Sequence, residues 1–485
     1  MEVSIPRRNR LLCLLVVGPL LVYVFSGPTF LGYDGNIMLR VTESLLFRHS
    51  VQITDPMLHF NEPYSNYGLG LSLLIAPMVA LGHLLAGSST ALLSLFQPLV
   101  TAATVATLWL LLREFGIGGR QALWIAWLFA FGTLAWHYAG VLFSEPLITL
   151  CVTVALLGLL RFRRTARLSD ALLAGAATGI AVVTRVDSVL LVLLPVAAYF
   201  LAVVARPGRQ RAPEGAMPFD WPRVAMRVVV FLLPIVISSA IDLWYNWARY
   251  GSPLHAGYSA EGVAFSYPLL KGLYGLLLSP GAGLLVFVPV LVMALIGFPG
   301  LSRRWPMEAA LVAAIIAVRV VFYAGWFAWD GGVTWGPRYL IPVVPLLMVG
   351  LGFLPMRGWR ALLTWITGAA SVGIQLLGQM VWFITWFGSA TAELAPRTGL
   401  PQCGTCGSST IVALQRLKEI MDFDWHYSPL IGQLRLLLEG AAHPAWAPIA
   451  WLVPFLLLGI AACGWYQWRL AGSEGASPVR ISEAA

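Results

Sequence analysis

This sequence predicts an all-α polytopic membrane protein, and three observations predict it. Hydrophobic residues make up 59% of the 485 and charged residues only 11%, against roughly 25% charged in an ordinary soluble chain. The mean hydropathy is +0.78. The apolar residues also come in long charge-free runs such as 281–301, not in the roughly ten-residue alternating segments of a membrane β-barrel. A soluble enzyme is excluded. The formal net charge of +9 reads as Lys and Arg retained in cytoplasmic loops, so no nucleic-acid partner is expected.

Taken in order, the charge-poor apolar runs are 11–31, 69–86, 89–112, 121–138, 146–160, 171–184, 188–204, 226–245, 281–301, 309–325, 339–355, 361–387 and 447–468. A span needs about 20 residues. Arg7, Arg8 and Arg10 precede the first run and hold the N-terminus in the cytoplasm, which puts the stretch from Gly32 to Tyr67 outside. If 69–86 then crossed, three basic loops would face outward: Arg113 with Arg120, the cluster Arg161, Arg163, Arg164 and Arg167, and the loop from Arg206 to Arg227. Making 69–86 an interfacial or re-entrant segment repairs all three and leaves about 12 transmembrane helices. A signal peptide is the alternative for the first run, but no small-x-small cleavage pattern follows Phe25.

The expected organisation is one transmembrane domain over 1–468, with outer loops 32–88, 246–280 and 388–446, and a disordered cytoplasmic tail over 469–485. The protein is expected in the plasma (inner) membrane. Most of the acidic residues, Asp34, Glu62, Glu145, Asp187 and Asp330 among them, fall on the outer side of this topology.

Boundary carboxylates in a membrane protein are functional candidates. Asp34 stands in "GYDGNIMLRVTESLL" directly after the first span, where Leu39, Leu45 and Leu46 offer an apolar face for a surface-lying helix. Capping a helix that begins near Asn36 is its structural alternative. Glu145 stands in "HYAGVLFSEPLI", before Pro146 at a helix start, where first-turn dipole chemistry also explains it. Both lie at the outer boundary, where they can share a proton, a divalent cation or a substrate hydroxyl. A metal held by Asp34 and Glu145 is left open.

The run "YAGWFAWDGGVTWGPRYLIP" sets Asp330 and Arg338 at either end of a Gly- and Trp-rich outer turn. Its tryptophans suit the membrane interface. A guanidinium at the mouth of a helix bundle wants an anion, and lipid phosphate is the abundant one. The loop from Asn246 adds Arg249, His255, Tyr258, Lys271 and Ser279, groups of the kind that bind sugars and phosphates. His255 has no partner at metal-ligand spacing. Cys13, Cys151 and Cys463 fall within spans, and Cys403 and Cys406 face the oxidising side, where a local disulfide is expected ahead of zinc. There is no P-loop, dinucleotide fingerprint or HExxH motif.

Together these residues make the chain resemble the GT-C class of membrane glycosyltransferases that use lipid-phosphate-linked sugars, and within it the bacterial relatives of protein O-mannosyltransferases and the lipid A aminoarabinose transferases. The resemblance runs through Asp34 after the first span, "YSNYGLGLSLLIAPMVALG", the carboxylate Glu145 and "GGVTWGPRYLIPVVP". It implies a GT-C-like bundle whose extracytoplasmic first loop carries interfacial helices. It also implies a polyprenyl-phosphate-sugar donor, a hydroxyl-bearing acceptor and an active site on the outer face.

Under this resemblance Asp34 acts on the acceptor hydroxyl, with Glu145 as its partner. Many relatives carry an Asp-Glu pair where this chain has Asp34-Gly35, and the aminoarabinose transferases have a lysine and two prolines where it reads Asn66, Tyr67, Gly68. The phosphate contact therefore shifts to Arg338, Arg249 or Lys271, with Tyr67, Asn246, Asp330 and Tyr339 as further candidates for holding the donor. The rivals are a transporter or flippase of a lipid-linked or polar substrate, and a non-catalytic scaffold. Transport sites sit near the bilayer midplane among ionisable span residues, and here Asp242 and Arg319 are the main such residues.

Overall fold

The computed structural model describes residues 7–26, 31–53, 63–205, 221–257, 265–398, 408–441 and 465–469. The described chain is helical, with no extended strand among those residues. The helices are α1 (Arg7–Phe25), α2 (Gly32–Glu43), α3 (Gly70–Ala86), α4 (Phe96–Glu114), α5 (Gly119–Gly132), α6 (Ala135–Ala139), α7 (Ser144–Thr165), α8 (Leu168–Thr184), α9 (Leu194–Val204), α10 (Trp221–Tyr250), α11 (Leu269–Leu278), α12 (Leu284–Phe287), α13 (Val290–Arg304), α14 (Pro306–Ala324), α15 (Val344–Met348), α16 (Gly358–Met380), α17 (Phe383–Thr398), α18 (Ser408–Phe423) and α19 (Pro429–Leu438). It is the architecture of a multi-pass membrane protein. Five helices among the described residues are long and apolar enough to cross a bilayer by themselves, and shorter apolar helices occupy several of the other expected runs.

The core runs along α4 and α7, whose residues are buried on nearly every side. A helix that is apolar all round belongs in a core or in a membrane, and these two are enclosed by other helices. By contrast α10 and α16 leave Val229, Val236, Ile237, Leu362 and Trp365 exposed, faces suited to acyl chains rather than water. Two glycines set the packing of α8 on α10. A side chain at Gly175 would fall 2.1 Å from the Phe231 carbonyl oxygen, and one at Gly179 would fall 2.8 Å from that of Pro234. This small-xxx-small spacing lets two backbones touch where no hydrophobic drive from water holds helices together.

Several expected runs are not single helices: 121–138 divides between α5 and α6, and 361–387 between α16 and α17. The run 281–301 divides into α12 and α13 at Pro289, and 339–355 is a 3₁₀ turn (Arg338–Val343), α15, and a second 3₁₀ turn (Val349–Phe353). Pro342 and Pro345 lie in that segment, where each removes a backbone donor. In the first loop the apolar face of α2 is Ile37, Met38, Leu39 and Val41, all buried, while Leu45 and Leu46 are half-buried in the wide turn that follows. The α2 helix crosses α3 through Thr42 Oγ1 to the Ser72 carbonyl (3.0 Å) and Ser72 Oγ to the Met38 carbonyl (2.9 Å). The last expected span, 447–468, lies outside the described residues except for its final turn, as do Cys403, Cys406, Cys463 and nearly all of the tail.

The 22-residue α7 is about 33 Å long at 1.5 Å per residue, the thickness of a hydrocarbon core. Its C-terminal end sits among the basic residues expected in the cytoplasm. There Glu114 accepts from Arg161 (2.9 Å) and Arg164 (2.5 Å), while Arg163 pairs with the fully buried Glu308. The N-terminal end of α7 holds a different set of charges.

Candidate active site

Four elements distant in sequence converge at that N-terminal end. The α2 helix begins at Gly32 rather than near Asn36, so Asp34 lies in its first turn and makes no capping hydrogen bond. Its carboxylate Oδ2 instead accepts from Arg338 Nη1 at 2.8 Å. Glu145 lies in the first turn of α7, buried, with Oε1 4.0 Å from Arg338 Nε. The same Glu145 oxygen accepts from Arg185 Nη1 at 3.0 Å. Arg185 follows the last residue of α8 and also reaches Asp187 at 3.2 and 3.3 Å. The result is an alternating row: Asp34, Arg338, Glu145, Arg185, Asp187.

Tyrosines from α14 and the following 3₁₀ turn close one side. Tyr323 donates its hydroxyl hydrogen to Asp187 and accepts from Arg185 Nη2 at 2.9 Å. Its ring stacks on that of Tyr339 at 4.1 Å, and the Tyr339 hydroxyl accepts from Arg338 Nη2 at 3.3 Å. Arg319, itself buried, donates to the Tyr339 carbonyl at 2.9 Å. Burial would push the Asp187 carboxyl upward, but Arg185, Arg319 and the Tyr323 hydroxyl outweigh it and hold it below its usual range. It is therefore a fixed anion that orients Arg185.

Local backbone explains why the charges meet. A side chain at Gly35 would fall 2.6 Å from the Leu142 carbonyl oxygen, so α2 lies against the strand of chain leading into α7 only because position 35 is empty. The second carboxylate beside Arg338 comes from Glu145. Gly331, at φ +77°, would place a side chain 2.7 Å from Arg338 Cγ; glycine there both permits the turn and leaves room for the arginine.

Arg338 retains a buried Nε hydrogen with no hydrogen-bond acceptor among the described residues, Glu145 Oε1 standing 4.0 Å away, and its guanidinium lies over the Phe143 ring at 4.6 Å. An unpaired buried donor is costly, and a ligand oxygen would relieve it. On the acid side, Asp34 Oδ1 takes no hydrogen bond among the described residues. The arrangement offers an anion-receptive guanidinium beside a carboxylate oxygen that can accept a proton. A metal fits less well. The two carboxylates are bridged by Arg338, and no group of three His, Cys, Asp or Glu gathers as a metal site among the described residues.

The other expected donor-binding residues are placed elsewhere. Arg249 is buried and donates to the carbonyls of Ser65, Tyr67 and Tyr245 and to Asn246 Oδ1 (2.6 Å); Asn246 in turn donates to the Pro253 carbonyl. These two hold the loop before α3. Tyr67, on that loop, is close enough to Arg338 to feel its charge. Lys271 pairs with Glu419, and Asp330 lies 3.8 Å from Lys418 Nζ; neither joins the Arg338 row. Arg185 and Tyr323 were not singled out from the sequence. Arg185 did carry a signal, as an arginine at the outer end of a span where the positive-inside bias disfavours one.

The family described as dolichyl-phosphate-mannose-protein mannosyltransferase matches residues 72–237, a window that contains Glu145, Arg185 and Asp187. No curated protein matches the sequence. Among solved structures, the chain is similar to ArnT from Cupriavidus metallidurans bound to undecaprenyl phosphate, at 16% identity and a TM-score of 0.49, covering 88% of this chain and 77% of that one. It is similar to the Archaeoglobus fulgidus oligosaccharyltransferase at 13% identity and a TM-score of 0.48, covering 85% and 56%. It is also similar to the arabinosyltransferase EmbB from Mycobacterium smegmatis at 14% identity and a TM-score of 0.45, covering 98% and 44%. The likeness is to glycosyltransferases of the GT-C class, the class that the sequence motifs resemble.

Proposed function

We propose that this protein transfers a sugar from a polyprenyl-phosphate carrier to an acceptor hydroxyl on the extracytoplasmic face of the membrane. The observation that carries the reading is Arg338, which bridges Asp34 and Glu145 while keeping a buried donor unused. The undecaprenyl phosphate bound to the similar ArnT supports a lipid phosphate as the anion.

In this reaction the acceptor oxygen forms a bond to the anomeric carbon, and the bond from that carbon to the carrier phosphate breaks with its electron pair leaving on phosphate. Positive charge develops on the sugar, as in glycoside hydrolysis. Phosphate departs as a stable anion and needs cations more than an acid. Arg338 answers that need: the incoming phosphate takes its guanidinium from Asp34, and the released carboxylate receives the hydroxyl proton. Glu145, held by Arg185, keeps Arg338 in place while this exchange occurs. Arg249, Lys271, Asp330 and Asn246 serve the scaffold in this reading, while Tyr339 and Tyr67 line the Arg338 side.

Transport is less well supported, since α7 carries no Asp, Glu, Lys or Arg between Glu145 and Arg161 and its charges stay at its two ends. The test is to offer the purified full chain in lipid nanodiscs a set of polyprenyl-phosphate sugars and follow donor consumption. Wild type should consume at least one and Asp34→Asn should not. No consumption by wild type, or equal turnover in the variant, overturns the proposal.

A further inference from the structure

Beside the charged row lies a partly open cleft that the mechanism does not use. It is lined from the outer end of α1 (Tyr23), from α6 (Trp136, His137), from the turn before Arg338 (Trp335) and from the junction of α16 and α17 (Gln379, Trp382). Phe143 belongs both to its wall and to the seat of the Arg338 guanidinium, so cleft and charged row adjoin.

The aromatic wall of the cleft is held rigidly by two buried tryptophans. Trp335 donates its indole hydrogen to Gln375 (3.3 Å), Gln375 donates onward to the Phe287 carbonyl (2.8 Å), and the Trp335 carbonyl accepts from Tyr138 (3.0 Å). A side chain at Gly378 would fall 2.6 Å from the Trp335 ring, so the indole lies flat against backbone. Trp136 is fixed by donating to Ser26 Oγ at 2.9 Å. Trp382 is 37% exposed at the rim.

Two features of the lining select the occupant. Among the described residues no Asp, Glu, Lys or Arg contributes to it and His137 is its one titratable imidazole, so a charged group entering would lose hydration with little to replace it. In addition, Gln379 Nε2 is buried and has no hydrogen-bond partner among the described residues. A plain hydrocarbon chain would leave that amide unsatisfied, whereas a ligand with an apolar face and a hydroxyl edge satisfies both the amide and the exposed Trp382 ring. Rings of this kind offer broad faces for apolar contact, and pockets of mostly apolar lining with a few fixed polar groups are built for small ligands.

We infer that this cleft is the acceptor site and that the acceptor is an uncharged saccharide, seated against the exposed face of Trp382 beside Gln379, with a hydroxyl presented past Phe143 toward Asp34. This rests on the transferase reading above and adds the acceptor class to it.

The test is saturation-transfer NMR on the full chain in nanodiscs, with a library of neutral oligosaccharides spanning gluco, galacto, manno and arabino units, a Ser/Thr peptide, and the corresponding sugar phosphates. At least one neutral oligosaccharide should receive saturation, the signal should fall several-fold in both Trp382→Ala and Gln379→Ala, and Trp382→Phe should restore most of it. Sugar phosphates and peptide should receive none. Absence of any neutral-saccharide signal, a signal unchanged in both Ala variants, or a peptide signal lost in those variants overturns the inference. The donor-consumption assay separates the two readings. Donor consumed with a peptide acceptor and no saccharide bound sinks the acceptor assignment alone, while saccharide bound and no donor consumed sinks the transferase reading.

Discussion

The turn from Asp330 to Arg338 carries a charge at each end, and the two charges enter clusters of the same make-up, a cation between two carboxylates, that leave opposite groups unpaired. At one end Arg338 stands between Asp34 and Glu145; at the other Lys418 stands between Asp422 and Asp330. The Arg338 row has a cationic donor left over, its own Nε. The Lys418 cluster has an acceptor left over, Asp422 Oδ2. A planar guanidinium presents several donors in fixed directions and can hold two carboxylates while greeting a third anion, whereas an ammonium is a point charge that its partners saturate. The first cluster is therefore suited to receive a phosphate. The second docks α18 onto the loop at Gly281, whose backbone donates to the Asp422 carbonyl at 3.1 Å.

Substitutions should separate the two clusters by what they change. The largest effect expected is from Asp34→Asn, which removes the proton acceptor and should lower transfer by about 10² to 10⁴-fold, the range for a general base, in a protein that still inserts and folds. Arg338→Ala should lower transfer by roughly 10² to 10³-fold through loss of phosphate stabilisation, with Arg338→Lys recovering little because the fork is gone. Donor kinetics equal to wild type in Arg338→Ala would remove it from the site. Arg185→Ala acts through Glu145, so a loss of about 10-fold or more is expected from misplacement alone.

At the second cluster the expectation reverses. Lys418→Met should lower thermal stability by about 3 to 5 kcal/mol, the cost of leaving buried carboxylates unpaired, with turnover per folded molecule near wild type. A fall in turnover matching that of Arg338→Ala would erase the distinction between the clusters.

The smallest effect is a pH dependence. Burial pushes the Asp422 carboxyl up to about 7, with Lys418 opposing and Asp330 adding to the rise. Because the folded value lies above the ordinary 3.8, the folded state binds this proton more tightly than the unfolded chain. The contribution to stability is full below about pH 4 and is lost as pH rises through about 7. Melting temperature in wild type should fall between pH 5 and 8, and Asp422→Asn, which cannot ionise, should flatten that slope. An unchanged slope would assign it to another group.

Asp34, Glu145 and Arg338 were legible in the sequence because each stands where an apolar run meets a loop, and a charge at such a boundary shows by contrast. Arg249 was equally conspicuous, yet its partners are the carbonyls of Ser65, Tyr67 and Tyr245 and the Asn246 amide, so it ties the loop before α3 to α10 and its donors are taken by the scaffold. Lys271 and Asp330 drew attention for their chemistry, but the loop helix that engages them, α18, lies more than 80 residues further on. No local pattern could announce that pairing. Likewise, the departure at Gly35 read as a missing acid, and only the approach of the Leu142 carbonyl explains why position 35 must be empty.

What the sequence determined by itself is the class of the protein, a helical membrane protein, because charge-free apolar runs of this length find their place in a bilayer. What the tertiary structure alone decided is which of the outer charges meet. The antiparallel return of α8 beside α7 brings Arg185 to Glu145, and the unused donor of Arg338 exists only because its neighbours supply carboxylates on two sides and the Phe143 ring over its face. Charge pairing depends on distances of a few ångströms between residues up to 304 positions apart, and sequence spacing carries no information about them.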